Sequence, residues 1–182
     1  GELNIILNRV LAFSFIFIIL IIIVAWYLNR RDSVQIKGHN YSIQIEYGDI
    51  FEMRSCKKVI AFDECFNTEM GDFPGGIKPD SVCGQYLKAH PIRDMQYESG
   101  KLVLNGEYLL MAFAKLDEKG LGKLTRDGFL DALSVLWEEI DAYYGLQDVC
   151  ITILGSGITR MKGESLTQQQ LLDIIIWSYR LN

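Results

Sequence analysis

Apolar and polar positions follow three rhythms along this chain. The first is an unbroken apolar run: residues 10–28 carry no charge, and Ser14 is the one clearly polar side chain among them. Its centre, Ile16-Phe17-Ile18-Ile19-Leu20-Ile21-Ile22-Ile23-Val24, is almost wholly β-branched or aromatic. A helix crossing the hydrocarbon of a bilayer needs ~20 residues of this kind. Trp26 and Tyr27 stand at one end, where an aromatic belt lies. No small-residue cleavage site follows, and the run is long for the apolar part of a signal peptide. The pattern predicts a retained transmembrane helix, with residues 1–31 as the membrane segment. Arg30 and Arg31 outweigh Arg9 and Glu2 on the other flank, so the positive-inside tendency places residue 30 onward in the cytoplasm. The sequence opens on Gly1, which leaves both a single span and the second helix of a hairpin open.

A period of two comes next. Val34-Gln35-Ile36 and Tyr41-Ser42-Ile43-Gln44-Ile45-Glu46-Tyr47 alternate apolar and polar, and read as strands joined at Gly38-His39-Asn40. Lys58-Val59-Ile60-Ala61-Phe62 is a short apolar run of the kind found in buried parallel strands. A loop rich in Gly, Asp and Asn spans residues 63–79. Asp80 or Ser81 can cap a short helix through Ala89, ended by Pro91. Lys101-Leu102-Val103-Leu104, then Asn105-Gly106, then Glu107 to Phe113 predict a hairpin with a type I′ turn.

The third rhythm is helical. Phe129, Leu133, Leu136, Trp137, Ile140 and Tyr144 keep the spacing of one helix face, with Thr125 as N-cap and Gly145 just past the end. A last helix starts near Ser165 or Thr167 and runs to Tyr179, carrying Leu171, Leu172, Ile175 and Ile176. Both stripes read as core rather than as a ligand box. Strands alternating with helices predict an α/β sheet covered on both faces. In such sheets ligands bind beyond the carboxyl ends of strands.

Charge and composition narrow the chemistry. The net charge of -5 argues against a nucleic-acid partner, which would call for a basic stripe. It leaves room for a small anion, since a pocket needs only local positive potential. Cys56, Cys65, Cys83 and Cys150 show no C-x-x-C spacing and read as buried thiols in a reducing compartment. His39 and His90 lack partner spacing, so no metal site is expected.

One stretch carries more. Val149-Cys150-Ile151-Thr152-Ile153-Leu154 is an apolar run that stops at Gly155-Ser156-Gly157 and ends in Ile158-Thr159-Arg160. A buried strand, a glycine loop and a following helix form a geometry in which backbone N–H groups face an anion. Arg160 adds a planar charged fork suited to phosphate oxygens. An ordinary glycine turn at a strand end is the alternative.

Three segments together resemble the macro domain, a fold that binds ADP-ribose and its relatives. They are Gly48-Asp49-Ile50; Ile60-Ala61-Phe62-Asp63-Glu64-Cys65-Phe66-Asn67-Thr68, where that family runs from a strand into its first ligand loop; and Ile153 to Arg160, which looks like the diphosphate loop. The likeness covers residues 34–182 and implies a macro-like nucleotide-binding domain: a three-layer α/β/α fold with a mixed central sheet, preceded by the transmembrane helix. Joined to that helix, it resembles the effector of type II Thoeris, a bacterial anti-phage system. What this implies is a sensor in the bacterial inner membrane with its soluble domain in the cytoplasm. A partner TIR-domain enzyme would make an ADP-ribose-derived signal, expected to be histidine-ADP-ribose. Binding would drive homo-oligomerisation and membrane disruption.

The resemblance also implies residue roles. Asp49 would accept from the adenine amino group, and the Ile50 amide would meet the adenine edge. Asn67 and Thr68 would bond the distal ribose. Gly155, Ser156, Gly157, Ile158 and Thr159 would donate N–H groups to the phosphates, and Arg160 would reach one of them. Hydrolytic macro domains carry an Asn-Ala-Ala-Asn run where this chain has Phe62-Asp63-Glu64-Cys65-Phe66-Asn67, so no cofactor and no catalytic residue are expected. Asp63 and Glu64 are adjacent carboxylates, but neighbours on an extended chain point opposite ways and make a poor acid–base pair. The competing readings are a membrane-tethered ADP-ribosyl hydrolase or phosphatase, and an oligomerising scaffold that has lost its ligand.

Overall fold

The computed structural model describes residues 1–29, 33–66, 76–91, 95–116, 122–156, 160–161 and 166–182, with the side chains of Asn29, Leu116, Arg160 and Met161 left out. Contacts divide the chain into two units, Gly1–Asp49 and Ile50–Asn182.

In the first unit, α1 (Glu2–Asn29) covers the predicted apolar run. Its large side chains from Leu3 to Leu28 are all exposed in the structure, and Phe13 stacks on Phe17 along its surface. A helix that is apolar on every side has no polar face to give to water, so it needs lipid or protein around it. Two predicted strands follow as β1 (Ser33–Lys37) and β2 (Ser42–Glu46). They pair antiparallel as a two-stranded sheet of their own, from Ser33 opposite Glu46 to Lys37 opposite Ser42. The Gly38 amide donates to the Tyr41 carbonyl at 2.9 Å and closes the turn.

The second unit opens with a 3-10 turn, Ile50–Glu52, and is built on a six-stranded sheet. The strands are β3 (Cys56–Asp63), β4 (Leu102–Asn105), β5 (Tyr108–Leu116), β6 (Gly122–Leu124), β7 (Asp148–Ile151) and β8 (Arg160–Met161). Their order is β7-β3-β5-β6-β8, with β4 paired to β5 as well. β3 lies parallel to both β5 and β7, while β4 and β6 run antiparallel to β5, so the sheet is mixed as expected. The alternation along β5 explains the layers. Leu109, Met111 and Phe113 point into a core shared with α3 (Arg126–Tyr143) and α4 (Gln168–Leu181). Leu110 and Ala112 point the other way, towards Tyr86 and Leu87 of α2 (Val82–Ala89). Helices on both faces of a mixed sheet give the three-layer α/β/α architecture.

The helix ends are where the side chains predict. Ser81, Thr125 and Thr167 are the N-caps of α2, α3 and α4, each accepting from a backbone amide three residues on. Gly145, just past α3, has φ +61°, and the Lys57 ammonium bonds the Tyr143 carbonyl at that end, where a cation suits the helix dipole. One detail differs. Asn105 belongs to β4 and pairs with Tyr108, so the β4–β5 loop is Gly106-Glu107. Only Gly106 has positive φ, at +65°, and positive φ at the first loop residue alone marks a type II′ turn rather than type I′.

Candidate functional site

β3 and β7 are adjacent and parallel, with Cys56 opposite Asp148 and Val59 opposite Ile151. Their carboxyl ends therefore leave the same edge of the sheet, and the loops that follow them are neighbours. These are the two loops that the macro-domain resemblance marks as ligand loops.

The first loop is tied down by its own side chains. Asp63, 6% exposed, ends β3 and accepts the Cys65 amide at 2.9 Å on Oδ1. The Phe66 amide donates to the Asp63 carbonyl at 3.2 Å, and Phe66 takes φ +48°. That left-handed conformation is unfavourable for a bulky residue, and packing compensates for it. Phe66 is 2% exposed and lies against Phe62, Tyr86 and Tyr97 with ring centroids 4.9, 5.8 and 4.9 Å away. The chain thus leaves the sheet over a fixed aromatic cluster just before Asn67. Asn67 and Thr68 themselves lie outside the described residues. Two partners of this loop carry no signal in the linear sequence: the Tyr97 amide donates to the Glu64 carbonyl at 2.9 Å, and the Gln96 amide group donates to the Glu64 carboxylate at 2.8 Å.

Asp63, at the end of β3, and Glu64, in the turn after it, point to different partners. They also set the chemistry of two thiols. Burial first, then the charges of Asp63 and Glu64, hold the Cys65 thiol above its ordinary range. Burial, with Asp63 adding to it, pushes Cys83 up to about 11. A raised pKa lowers the thiolate fraction at neutral pH, so both thiols are weaker nucleophiles than a free cysteine.

In the second loop, β7 ends at Ile151 and the chain turns at Leu154-Gly155. Leu154 is 2% exposed and anchors the turn in the core beneath α3 and α4. Gly155 has φ +80°, a conformation that a side chain makes costly. Ser156 folds back: its hydroxyl donates to the Ile153 carbonyl at 2.6 Å and its amide to the same oxygen at 3.3 Å. Of the expected phosphate donors, the Ser156 amide is thus engaged inside the turn by a long bond. Gly157, Ile158 and Thr159 lie outside the described residues. Arg160 opens β8, where its backbone pairs with Lys123 of β6, and its side chain is outside the description. The expected order of strand, glycine loop and helix is therefore corrected by one element. A short strand intervenes because β6 offers an open edge, and α4 begins only at Gln168.

Asp49 and Ile50, the expected adenine contacts, fall on either side of the division between the two units. Asp49 is exposed, and Ile50 is half-buried and starts the 3-10 turn, with its carbonyl accepting the Met53 amide at 3.4 Å. A shallow cleft of about 640 Å³ lies at the opposite, amino edge of β3, lined by Phe51, Glu52, Met53, Arg54, Ser55, Lys58 and Glu107. Its buried cation, Lys58, is paired with Glu107 at 2.8 Å. The loop edge, with its glycine turn, is the better candidate for an anionic ligand. Among the described residues no group of three or more His, Cys, Asp or Glu could hold a metal ion.

Comparison with known proteins gives the family. A family model described as "Thoeris protein ThsA, Macro domain" matches residues 43–96 and 90–182. A curated relative, Thoeris protein ThsA of Bacillus amyloliquefaciens (strain Y2), is 26% identical over 196 residues, covering 90% of this chain and 65% of the relative. The chain spans about 65% of that relative's length.

Proposed function

Since the chain belongs to the family of the Thoeris protein ThsA macro domain, we propose that it is the membrane-anchored effector of a bacterial anti-phage system. In this reading the cytoplasmic macro domain binds an ADP-ribose derivative, histidine-ADP-ribose being the expected form, supplied by a TIR-domain enzyme. Binding drives self-assembly, and the assembled effector breaches the inner membrane. The observation that carries the reading is the shared carboxyl edge. Two ligand-type loops leave adjacent parallel strands there, one ending over buried Phe66 and the other turning on Gly155 at φ +80°. Backbone amides at such a turn suit a diphosphate.

The apolar helix supplies the other half. It is long and apolar enough to span a bilayer, and Arg30-Arg31 orient the macro domain to the cytoplasm. For the ligand to act as a switch it must favour the assembled state over the resting one. The two adjacent carboxylates of the first loop turn to different structural partners, Asp63 to the Cys65 amide and Glu64 to the Gln96 side chain, and do not face each other as an acid–base pair. That supports a sensor over an enzyme.

The test uses the full chain in detergent or nanodiscs. Ligand at about a hundred times its dissociation constant stabilises a protein by ~2.7 kcal/mol, a shift readily seen in thermal unfolding. Histidine-ADP-ribose should give that shift and increase the particle size by light scattering. Gly155→Val should lose at least tenfold in affinity while keeping its circular dichroism spectrum, because valine resists positive φ. Absence of binding by both ADP-ribose and its histidine conjugate overturns the reading.

A further inference from the structure

Cys56 opens β3 and Cys150 lies in β7, 94 residues further along the chain. Both are present as thiols. In the parallel register Cys56 faces Asp148 and Cys150 faces Lys58. The cysteines are thus offset by two positions, which leaves them on the same face of the sheet. Their sulfurs are 2.7 Å apart. That is closer than two unbonded sulfurs normally sit, and within ~0.7 Å of the ~2.05 Å of a disulfide. β7 is the end strand of the sheet and, among the described strands, pairs only with β3, so it can close the remaining gap without moving an inner strand. Cys56 is 7% exposed and Cys150 is partly exposed, so a small oxidant meets Cys150 first.

We propose that Cys56 and Cys150 are an oxidation site, and that peroxide joins them in an intramolecular disulfide. The Cys150 thiolate attacks a peroxide oxygen, the O–O bond breaks, and a sulfenic acid and one water form. The Cys56 sulfur then attacks the Cys150 sulfur, the S–O bond breaks, and the oxygen leaves as a second water. Two thiols and one hydrogen peroxide give one disulfide and two waters. The bond ties the strand that leads into the Leu154-Gly155-Ser156 turn to the strand that leads into the Asp63 turn. This inference rests on the sheet alone and stands whether or not the nucleotide reading does.

The test is thiol mapping of the full chain in detergent near neutral pH. The protein is treated with graded hydrogen peroxide, the peroxide is removed, and the chain is unfolded in denaturant, blocked with an alkylating agent, digested and read by mass spectrometry. The expected result is a linked peptide pair containing Cys56 and Cys150, appearing at a few equivalents of peroxide and removed by dithiothreitol. Cys65 and Cys83 should remain alkylatable throughout and serve as internal controls. Cys150→Ser should abolish the link and the accompanying mobility change on a non-reducing gel. The wild-type peptide map gives its answer even if that variant folds poorly. Alkylation of Cys56 and Cys150 that is unaffected by peroxide overturns the proposal. So does oxidation to separate sulfinic acids with no link between them.

Discussion

Lys58 is 2% exposed, an unusual place for a lysine. It survives there because Glu107 sits 2.8 Å from its ammonium and the ring of Tyr108 lies 5.5 Å away. The hydrogen bond to Glu107 raises the Lys58 pKa against the opposing pull of burial. The same bond, helped by Tyr108, holds the Glu107 carboxyl below its ordinary range. The glutamate's stabilising contribution is therefore present above the unfolded carboxyl value of ~4.3 and is lost as pH falls through the lower folded value. The lysine's contribution is complete below ~10.4 and is lost as pH rises through the higher folded value. Glu107→Gln should lower the midpoint of thermal unfolding at pH 7. The gap to the wild type should close as acid neutralises Glu107 in the parent. Equal midpoints at pH 7 would mean that another group satisfies Lys58. None of this is legible in the sequence, where Lys58 reads as one polar position at the start of an apolar run and its partner lies in the distant β4–β5 turn.

Among the elements, the helices were the most legible, because their signals are local. Thr167 and Gln170 form a reciprocal capping box: the Gln170 amide donates to the Thr167 hydroxyl at 3.2 Å, and the Thr167 amide donates to the Gln170 side chain at 2.9 Å. Thr167→Ala should cost ~1 kcal/mol and Thr167→Ser much less, as read from denaturant midpoints. α4 then places Leu171 and Ile175 in the core beside Leu154, so a frayed α4 loosens the glycine turn too. The β4–β5 hairpin was legible as an element but not in its turn type. A one-residue difference in where β4 ends moved Asn105 out of the loop, and inter-strand pairing decides that register. β8 was missed because a two-residue strand has no period to detect.

At the scale of the whole molecule, the helix α1 is the feature that water cannot accommodate. Its apolar side chains are exposed on every side, so its stability as an isolated helix is beside the point: it needs a non-aqueous surrounding. A lysine near the middle of a membrane span costs about 2.5–3.5 kcal/mol on insertion scales. The double variant Ile18→Lys, Ile21→Lys should leave the carbonate-resistant membrane pellet, as followed by fractionation and immunoblotting. Retention in that pellet at the wild-type level would mean that α1 is not the element that anchors the chain.

Local spacing alone determined the apolar span, the capped helices, the strand that becomes β3 and the glycine turn after β7. Each rests on neighbours a few residues apart, and such interactions are written in order along the chain. The tertiary structure decided which strands lie side by side. It brought the loop after Asp63 next to the loop after Ile151, carried Gln96 and Tyr97 across to the first of them, paired Lys58 with Glu107, and set Cys56 against Cys150. Those contacts join residues far apart in sequence, and burial and hydrogen bonding in the assembled sheet, rather than any local pattern, select them.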